Sequence, residues 1–192
     1  MGRMVSSAFV VWQGEGVVRK GRFGIIFSQQ SRHWPKGSVK METLPGFALN
    51  LVNNGHLMSW YVESGYRNFY LHPKMRDYFL SHHGGRSYSC IALPFGWGRS
   101  ILWFTKLMRP VVKHIRSELG YRVLPWIDDF LCAPTDCLRP AIGRDCRRAR
   151  IRLDSLFGEL GLTRHPDKGC WEGAQVLEHL GVLIDRRQML VF

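Results

Sequence analysis

The stretch LPWIDDFL, residues 124–131, decides how the rest of the chain is read, because two adjacent carboxylates sit inside an otherwise apolar run. Asp is rarely buried unless it is paired or bound to a metal, and an isolated ionised carboxylate in an apolar site is strongly unfavourable. Val123, Ile127, Phe130 and Leu131 favour strand, Pro125 sets the approach, and a tight turn at Asp128 and Asp129 makes the whole a hairpin with acids at its tip. Such a tip can hold divalent cations. Asp is also common in ordinary polar turns, so the pair alone fits either a metal site or a surface turn.

Composition narrows the choice. A chain of 192 residues suits one domain, or two subdomains sharing a core. Its 27 Lys and Arg against 15 Asp and Glu give a net charge of +12, which fits a polyanionic partner, with nucleic acid ahead of a membrane surface. Charge by itself leaves ribosomal, chromatin and polymerase-like proteins equally open. The five cysteines, Cys90, Cys132, Cys137, Cys146 and Cys170, form no C-x-x-C pair, which argues against a disulfide framework and a compact zinc site. A reducing, intracellular compartment, cytoplasmic or nuclear, is therefore expected. No apolar run approaches the roughly 18 residues of a membrane span, and no signal-peptide core is present, so no membrane partner is expected. The start MGRMVS satisfies the short N-myristoylation pattern, with Gly2 and Ser6 in place.

Taken in order, AFVVW (residues 8–12) and VVRKGRFGIIF (17–27) read as a hairpin with a basic edge at Arg19, Lys20 and Arg22, fitting either a protected sheet edge or phosphate contact. Residues 28–40 read as an irregular connection. Thr43 can cap a short helix carrying Leu44, Phe47, Leu51 and Val52, with Gly55 just past its end. An aromatic strand over residues 57–73 breaks at Ser64-Gly65 and resumes. Two strands then flank His82-His83-Gly84-Gly85, whose histidines read as part of a solvated turn rather than a metal site. Ile101, Phe104, Leu107, Met108, Val111, Val112, Ile115 and Leu119 predict a helix from Ser100 that Gly120 ends and Pro110 kinks or divides. A second long helix is predicted from about Pro140, with Ile142, Cys146, Ala149, Leu153, Leu156 and Leu160 inward and arginines at 144, 147, 148 and 152 outside. Strands close the chain. The order points to an α+β sheet with helices on one face.

With the acidic hairpin, the preceding LPFGWGRS (93–100) and helix, and the terminal HPDKG (165–169) and LEHLGVLID (177–185) in place, the chain resembles a reverse transcriptase. SQQSRHWPKGSVKMETL (28–44) and LPFGWGRSILWFTKLMRP (93–110) most resemble the DIRS-like, tyrosine-recombinase retrotransposons. The resemblance covers nearly the whole chain. It implies a right-hand fold of fingers, palm and thumb, of which this sequence is expected to carry the fingers (about 1–40 and 67–95) and the palm (about 41–66 and 96–192), an antiparallel palm sheet with helices packed on one face, with the thumb absent. It also implies RNA-directed DNA polymerisation by two-metal nucleotidyl transfer with Mg²⁺ or Mn²⁺, on an RNA/DNA template-primer and a dNTP.

In that family three palm carboxylates hold the ions. Asp128 and Asp129 match the pair, with Trp126 where Tyr is usual. The central-strand block, in which Asp precedes an aromatic by five residues, aligns on YVESGY (61–66) and puts Tyr61 on the Asp. Tyr is no hard-cation ligand at neutral pH. Glu63 falls on the same strand face, but roughly 6.6 Å further along. By the same resemblance Arg22, with Lys20, contacts the triphosphate; Ser64 and Gly65 lie beneath it; Tyr66 excludes a 2′-hydroxyl; Phe95, Gly96 and Trp97 pack on nucleotide and template. Lys168 matches a palm Lys near the primer end, and Leu180 and Gly181 lie in the strand that grips the primer. Ile26 and Ile101 replace a usual Asp and Pro. The expectation is a reverse-transcriptase-like domain with impaired catalysis and weak cation binding, either a decayed copy or a segment of a longer polyprotein. A non-catalytic nucleic-acid-binding relic, another two-metal phosphoryl-transfer enzyme and a structural basic protein are the alternatives.

Overall fold

The computed structural model describes residues 5–13, 20–35, 37–48, 51, 55–134 and 144–191, with the side chains of residues 11, 13, 20, 22, 23, 144 and 145 left aside. In chain order the elements are β1 (Val5–Ser6), β2 (Ala8–Gln13), β3 (Lys20–Ile25), α1 (Ser28–Arg32), α2 (Leu44–Ala48) and β4 (Met58–Tyr61). A 3₁₀ turn (Gly65–Asn68), α3 (Pro73–Arg76), β5 (Leu80–His83), β6 (Arg86–Ser89) and α4 (Ser100–Ser117) follow. Then come β7 (Arg122–Trp126), β8 (Asp129–Ala133), α5 (Arg144–Leu160), β9 (Val176–His179), β10 (Val182–Asp185) and β11 (Leu190–Val191). The architecture is α+β, with sheets that are antiparallel except where β1 joins β5 in parallel. Among the described residues no helix is long and apolar enough to cross a membrane.

The chain forms two compact units. The first comprises Met1–Val39 and Ser64–Thr105. Its sheet runs β1-β5-β6, beside the two-stranded β2-β3 hairpin. Phe27, Phe79, Trp97 and Phe104 are buried; Phe79 meets Phe27 edge-on at 5.2 Å and Trp97 at 4.9 Å between ring centroids, a favoured aromatic geometry. The predicted strands around HHGG are β5 and β6. The histidines close the strands, while Gly84 and Gly85, at φ 56° and 74°, make the turn, as a two-residue hairpin requires. Residues 28–32, expected to be irregular, form α1. Its helix has no apolar stripe to read; it is held by Gln30, whose buried amide donates to Ser6 Oγ at 2.8 Å, and by Ser31, whose hydroxyl donates to the Phe27 carbonyl. The aromatic strand does not resume after Ser64-Gly65: Ser64 takes φ 53°, and the chain enters the 3₁₀ turn instead.

The second unit comprises Lys40–Glu63 and Lys106–Phe192. Its central sheet runs β4-β8-β7. Register places Met58, Cys132 and Val123 abreast, then Ser59, Leu131 and Leu124, then Trp60, Phe130 and Pro125, then Tyr61, Asp129 and Trp126. Alternation therefore splits the faces. On one, Trp60 stacks on Phe130 at 5.4 Å and meets Phe157 of α5. On the other, Leu124 and Leu131 join Phe47, Leu57, Leu177 and Ile184 in a core built with α2 and the β11-β10-β9 sheet.

Helix α4 continues through Pro110, which faces solvent and neither stops nor divides it. Buried Phe104, Met108, Val112 and Ile115 hold the helix around a residue that costs about 3 kcal/mol in a helix interior. Ile101 and Leu107, expected inward, are exposed. In α5, Cys146, Ala149 and Leu153 are buried as expected; Leu160 is exposed and Phe157 takes the inward position. The predicted start of α5 at Pro140, with Ile142, lies outside the described residues, as do Gly2, Arg19, Val52 and Cys137. Thr43 Oγ1 accepts from the Gly46 amide, but α2 ends at Ala48, before Leu51.

The outer edge of β4 is bound to residues 163–174. Ser59 donates its amide to the Cys170 carbonyl, and its hydroxyl accepts from the Cys170 amide at 2.9 Å. The close approach needs Gly169, at φ 84°, where a Cβ would fall 2.3 Å from the Ser59 carbonyl oxygen. Gly169→Ala is expected to lower stability by about 3 kcal/mol or more, combining left-handed strain with displacement of β4. Urea unfolding measures it, and a loss under about 1 kcal/mol would contradict this packing.

Candidate active site

Two short strands and a turn bring the acids together. Trp126 and Asp129 close the β7-β8 hairpin across the two-residue turn Ile127-Asp128. Ile127 takes φ 57°, a conformation costly for a β-branched residue. The turn is fixed to β4 by the Val62 amide, which donates to the Asp128 carbonyl at 2.8 Å. Tyr61 pairs directly with Asp129 in the ladder, on the same sheet face. Cross-strand neighbours of this kind have Cβ atoms about 5 Å apart.

The charges are poorly balanced. Burial, then the negative Asp128, pushes Asp129 up to about 6 from 3.8, while Lys168 pulls it back. Burial, followed by the charges of Asp129, Asp128 and Glu178, also raises Tyr61, so its phenol stays protonated at neutral pH. Lys168 Nζ lies 5.4 Å from the centre of the Tyr61 ring. The Gly169 contact with Ser59 and the His165 amide bond to the Tyr61 carbonyl seat the Lys168 loop along β4. Glu178, on the exposed side of β9, was not singled out by the sequence; strand alternation around buried Leu177 and His179 was its only signal.

Glu63 does not lie on the strand face predicted for it. β4 ends at Tyr61, and Glu63 stands in the following turn, its amide donating to Thr163. Among the described residues no three His, Cys, Asp or Glu side chains are gathered to hold a metal ion. Two bridged cations need a carboxylate where Tyr61 presents a neutral phenol. The donor set present does not fit a two-ion centre.

The other predicted residues of the second unit are less concentrated. Trp126 is half-exposed beside Asp129. Leu180 and Gly181, at φ 54° and 76°, form the turn between β9 and β10. His179, the last residue of β9, is buried, and neither ring nitrogen finds a partner among the described residues. Burial lowers its pKa. The folded state keeps it neutral while the unfolded chain takes up a proton below about 6.5, so its contribution to stability falls as pH drops through that value. His179→Leu is expected to stabilise by about 1 kcal/mol at pH 7.5, with a larger gain at pH 5.5. Equal urea midpoints for the two proteins at both pH values would contradict the buried, unpartnered imidazole.

In the first unit, Lys20 and Arg22 lie on β3 opposite Gln13 and Val11 of β2. Ser64 precedes buried Gly65 and Tyr66. The Tyr66 ring lies 4.7 Å from exposed Phe95 and 5.3 Å from Phe104. Gly96, at φ 90°, passes the Ile25 carbonyl so closely that a Cβ would stand 2.1 Å from it. Trp97 is only 4% exposed and packs on Phe79 and Trp34, so it offers almost no surface to a template and belongs to the core.

No family model and no curated protein sequence matches the chain. Solved structures do. The foamy viral protease-reverse transcriptase in complex with double-stranded DNA aligns over 95% of this chain and 30% of its own, at 16% identity and a TM-score of 0.77. A mutant Prototype Foamy Virus protease-reverse transcriptase aligns over 97% of this chain and 23% of its own, also at 16% and 0.77. The foamy viral enzyme in complex with an RNA/DNA hybrid aligns over 95% and 23%, at 14% and 0.76. The chain thus spans between 23% and 30% of these proteins' length. Over that span it has the fold of a reverse transcriptase domain.

Proposed function

We propose that this chain is a reverse-transcriptase-like module that holds a primer-template duplex without extending it. The observation that carries the proposal is the pairing of Tyr61 with Asp129, which puts a neutral phenol where the reaction needs a third carboxylate. The net charge of +12 supports a nucleic-acid partner, and foamy viral proteins of the same fold are seen with double-stranded DNA and an RNA/DNA hybrid.

In this reading the first unit serves as fingers and the second as palm. Asp128 and Asp129 take at most one Mg²⁺ or Mn²⁺, weakly. Lys20, Arg22, Ser64, Gly65, Tyr66, Phe95 and Gly96 form the remnant of a dNTP site. Trp126, Lys168, Leu180 and Gly181 face the primer end. The blocks 28–44 and 93–110 support a DIRS-like retrotransposon origin.

The test is binding of a fluorescent RNA/DNA primer-template, followed by anisotropy across a salt series. Binding should weaken steeply with salt and persist in EDTA, because phosphate contacts rather than a metal carry it. Absence of binding at low salt, or binding that vanishes in EDTA, would overturn the proposal.

A further inference from the structure

We propose that a second anion site lies in the palm-like unit at the end of the β7-β8 hairpin opposite the acids, and that it takes a chain of phosphate groups. The site is an open cleft of about 870 Å³ lined by residues 40–43 ahead of α2, by Gly46 and Phe47 within it, by Arg109 and Arg116 of α4, and by residues 120–123 leading into β7. Such a volume suits a ligand of several phosphate units. Arg122 pairs with Ala133 at one end of the hairpin, and Trp126 with Asp129 at the other. Four residue steps along β7, about 13 Å, separate the two ends.

The charge in the cleft is one-sided. Lys40, Arg109, Arg116 and Arg122 face a single carboxylate, Glu42. That carboxylate is engaged: Glu42 Oε2 accepts from Arg116 at 2.6 Å, and the same guanidinium nitrogen donates to the Val123 carbonyl at 2.6 Å. Arg116 is thereby locked at the wall of the cleft. Lys40, Arg109 and Arg122 are exposed and make no ion pair among the described residues. Arg109 and Arg116 stand seven residues apart on one face of α4, about 10 Å along its axis. A loop, a helix and a strand thus bring cations to one cleft whose lining also includes Phe47 and Tyr121, both buried. Phosphates, not bases, are what these groups recognise.

Either a nucleic-acid backbone or free polyphosphate supplies that chemistry. The nucleic-acid source rests on the proposed function; the anion site does not. Two probes separate them: inorganic tripolyphosphate by calorimetry and a fluorescent oligouridylate by anisotropy, with the primer-template measured alongside. Arg109→Ala combined with Arg122→Ala should weaken tripolyphosphate, or oligouridylate, or both, by about tenfold or more. It should also reduce the oligouridylate salt slope by about 1.4 where the oligonucleotide is the ligand. Arg147→Ala combined with Arg148→Ala, removing equal charge from exposed positions on α5, should change binding less than twofold. Lys40→Glu should reproduce the loss independently, with unchanged thermal midpoints reporting intact folds.

Loss for oligouridylate alone assigns the site to a nucleic-acid backbone, and loss for both probes or for tripolyphosphate alone assigns it to phosphate chains in general. Equal weakening by the two double variants, or no binding of either probe, overturns the site. Failure to bind primer-template while tripolyphosphate binding still depends on Arg109 and Arg122 refutes the proposed function and leaves the site standing.

Discussion

Tyr61→Asp is expected to tighten Mn²⁺ binding by at least about tenfold, because it adds a third hard ligand directly across the ladder from Asp129. The same substitution should lower stability without metal. Asp129 is already pushed up to about 6 by burial and by Asp128, and a further carboxylate adds to that repulsion with only Lys168 to offset it. Metal should then restore what the charge removed: a cation at about 100 times its Kd adds about 2.7 kcal/mol to the folded state. Thermal midpoints of both proteins, titrated with Mn²⁺ from an EDTA baseline, check both halves. The variant should start lower and rise more. A variant that gains no more than the parent would show that position 61 does not face the cation.

Asp129→Asn is the second large effect. Most native carboxylates are held below their ordinary range, and stability is lost as acid protonates them. Asp129 is the reverse case. Its folded value, about 6, lies above the ordinary 3.8, so the folded state binds the proton more tightly. Between those values stability falls as pH rises, and above pH 6 the ionised carboxylate costs about 1–2 kcal/mol once solvent screening of this half-buried group is allowed for. In EDTA at pH 7.5 the Asn variant should therefore be more stable by about 1–2 kcal/mol in urea. At pH 3.5 the advantage should vanish, since Asp129 is then largely protonated in both states. A variant no more stable than the parent at pH 7.5 would mean that water or Lys168 already neutralises the site.

How much of this was legible in the sequence depends on how locally each feature is encoded. The acidic hairpin was, because alternating apolar residues and an Asp pair allow few other structures. The turn at Gly84-Gly85 and the long helices were also legible, through glycines at positive φ and a three-four spacing. Pro110 misled, since its cost inside α4 is outweighed by tertiary burial that no local pattern records. α1 was invisible because Gln30 is buried through a hydrogen bond to Ser6, 24 residues away. β1, two residues long and parallel to β5, leaves no periodic trace.

At the site, Tyr61 was located from its block, and the ladder pairs it with Asp129. The strand face predicted for Glu63 failed because β4 ends two residues earlier. Trp97 shows how a residue inside a recognisable block can serve packing: its ring fills the first unit between Phe79 and Trp34. Lys168 over Tyr61, and the field of Glu178, arise from long-range closure of residues 163–178 on β4.

Primer extension tests the central claim most directly. The chain, with its primer-template bound, should add no nucleotide on an RNA template with dNTPs and either Mg²⁺ or Mn²⁺, because the carboxylate needed beside Asp129 is a tyrosine. Robust extension by the unmodified chain, abolished by Asp128→Asn, would contradict it.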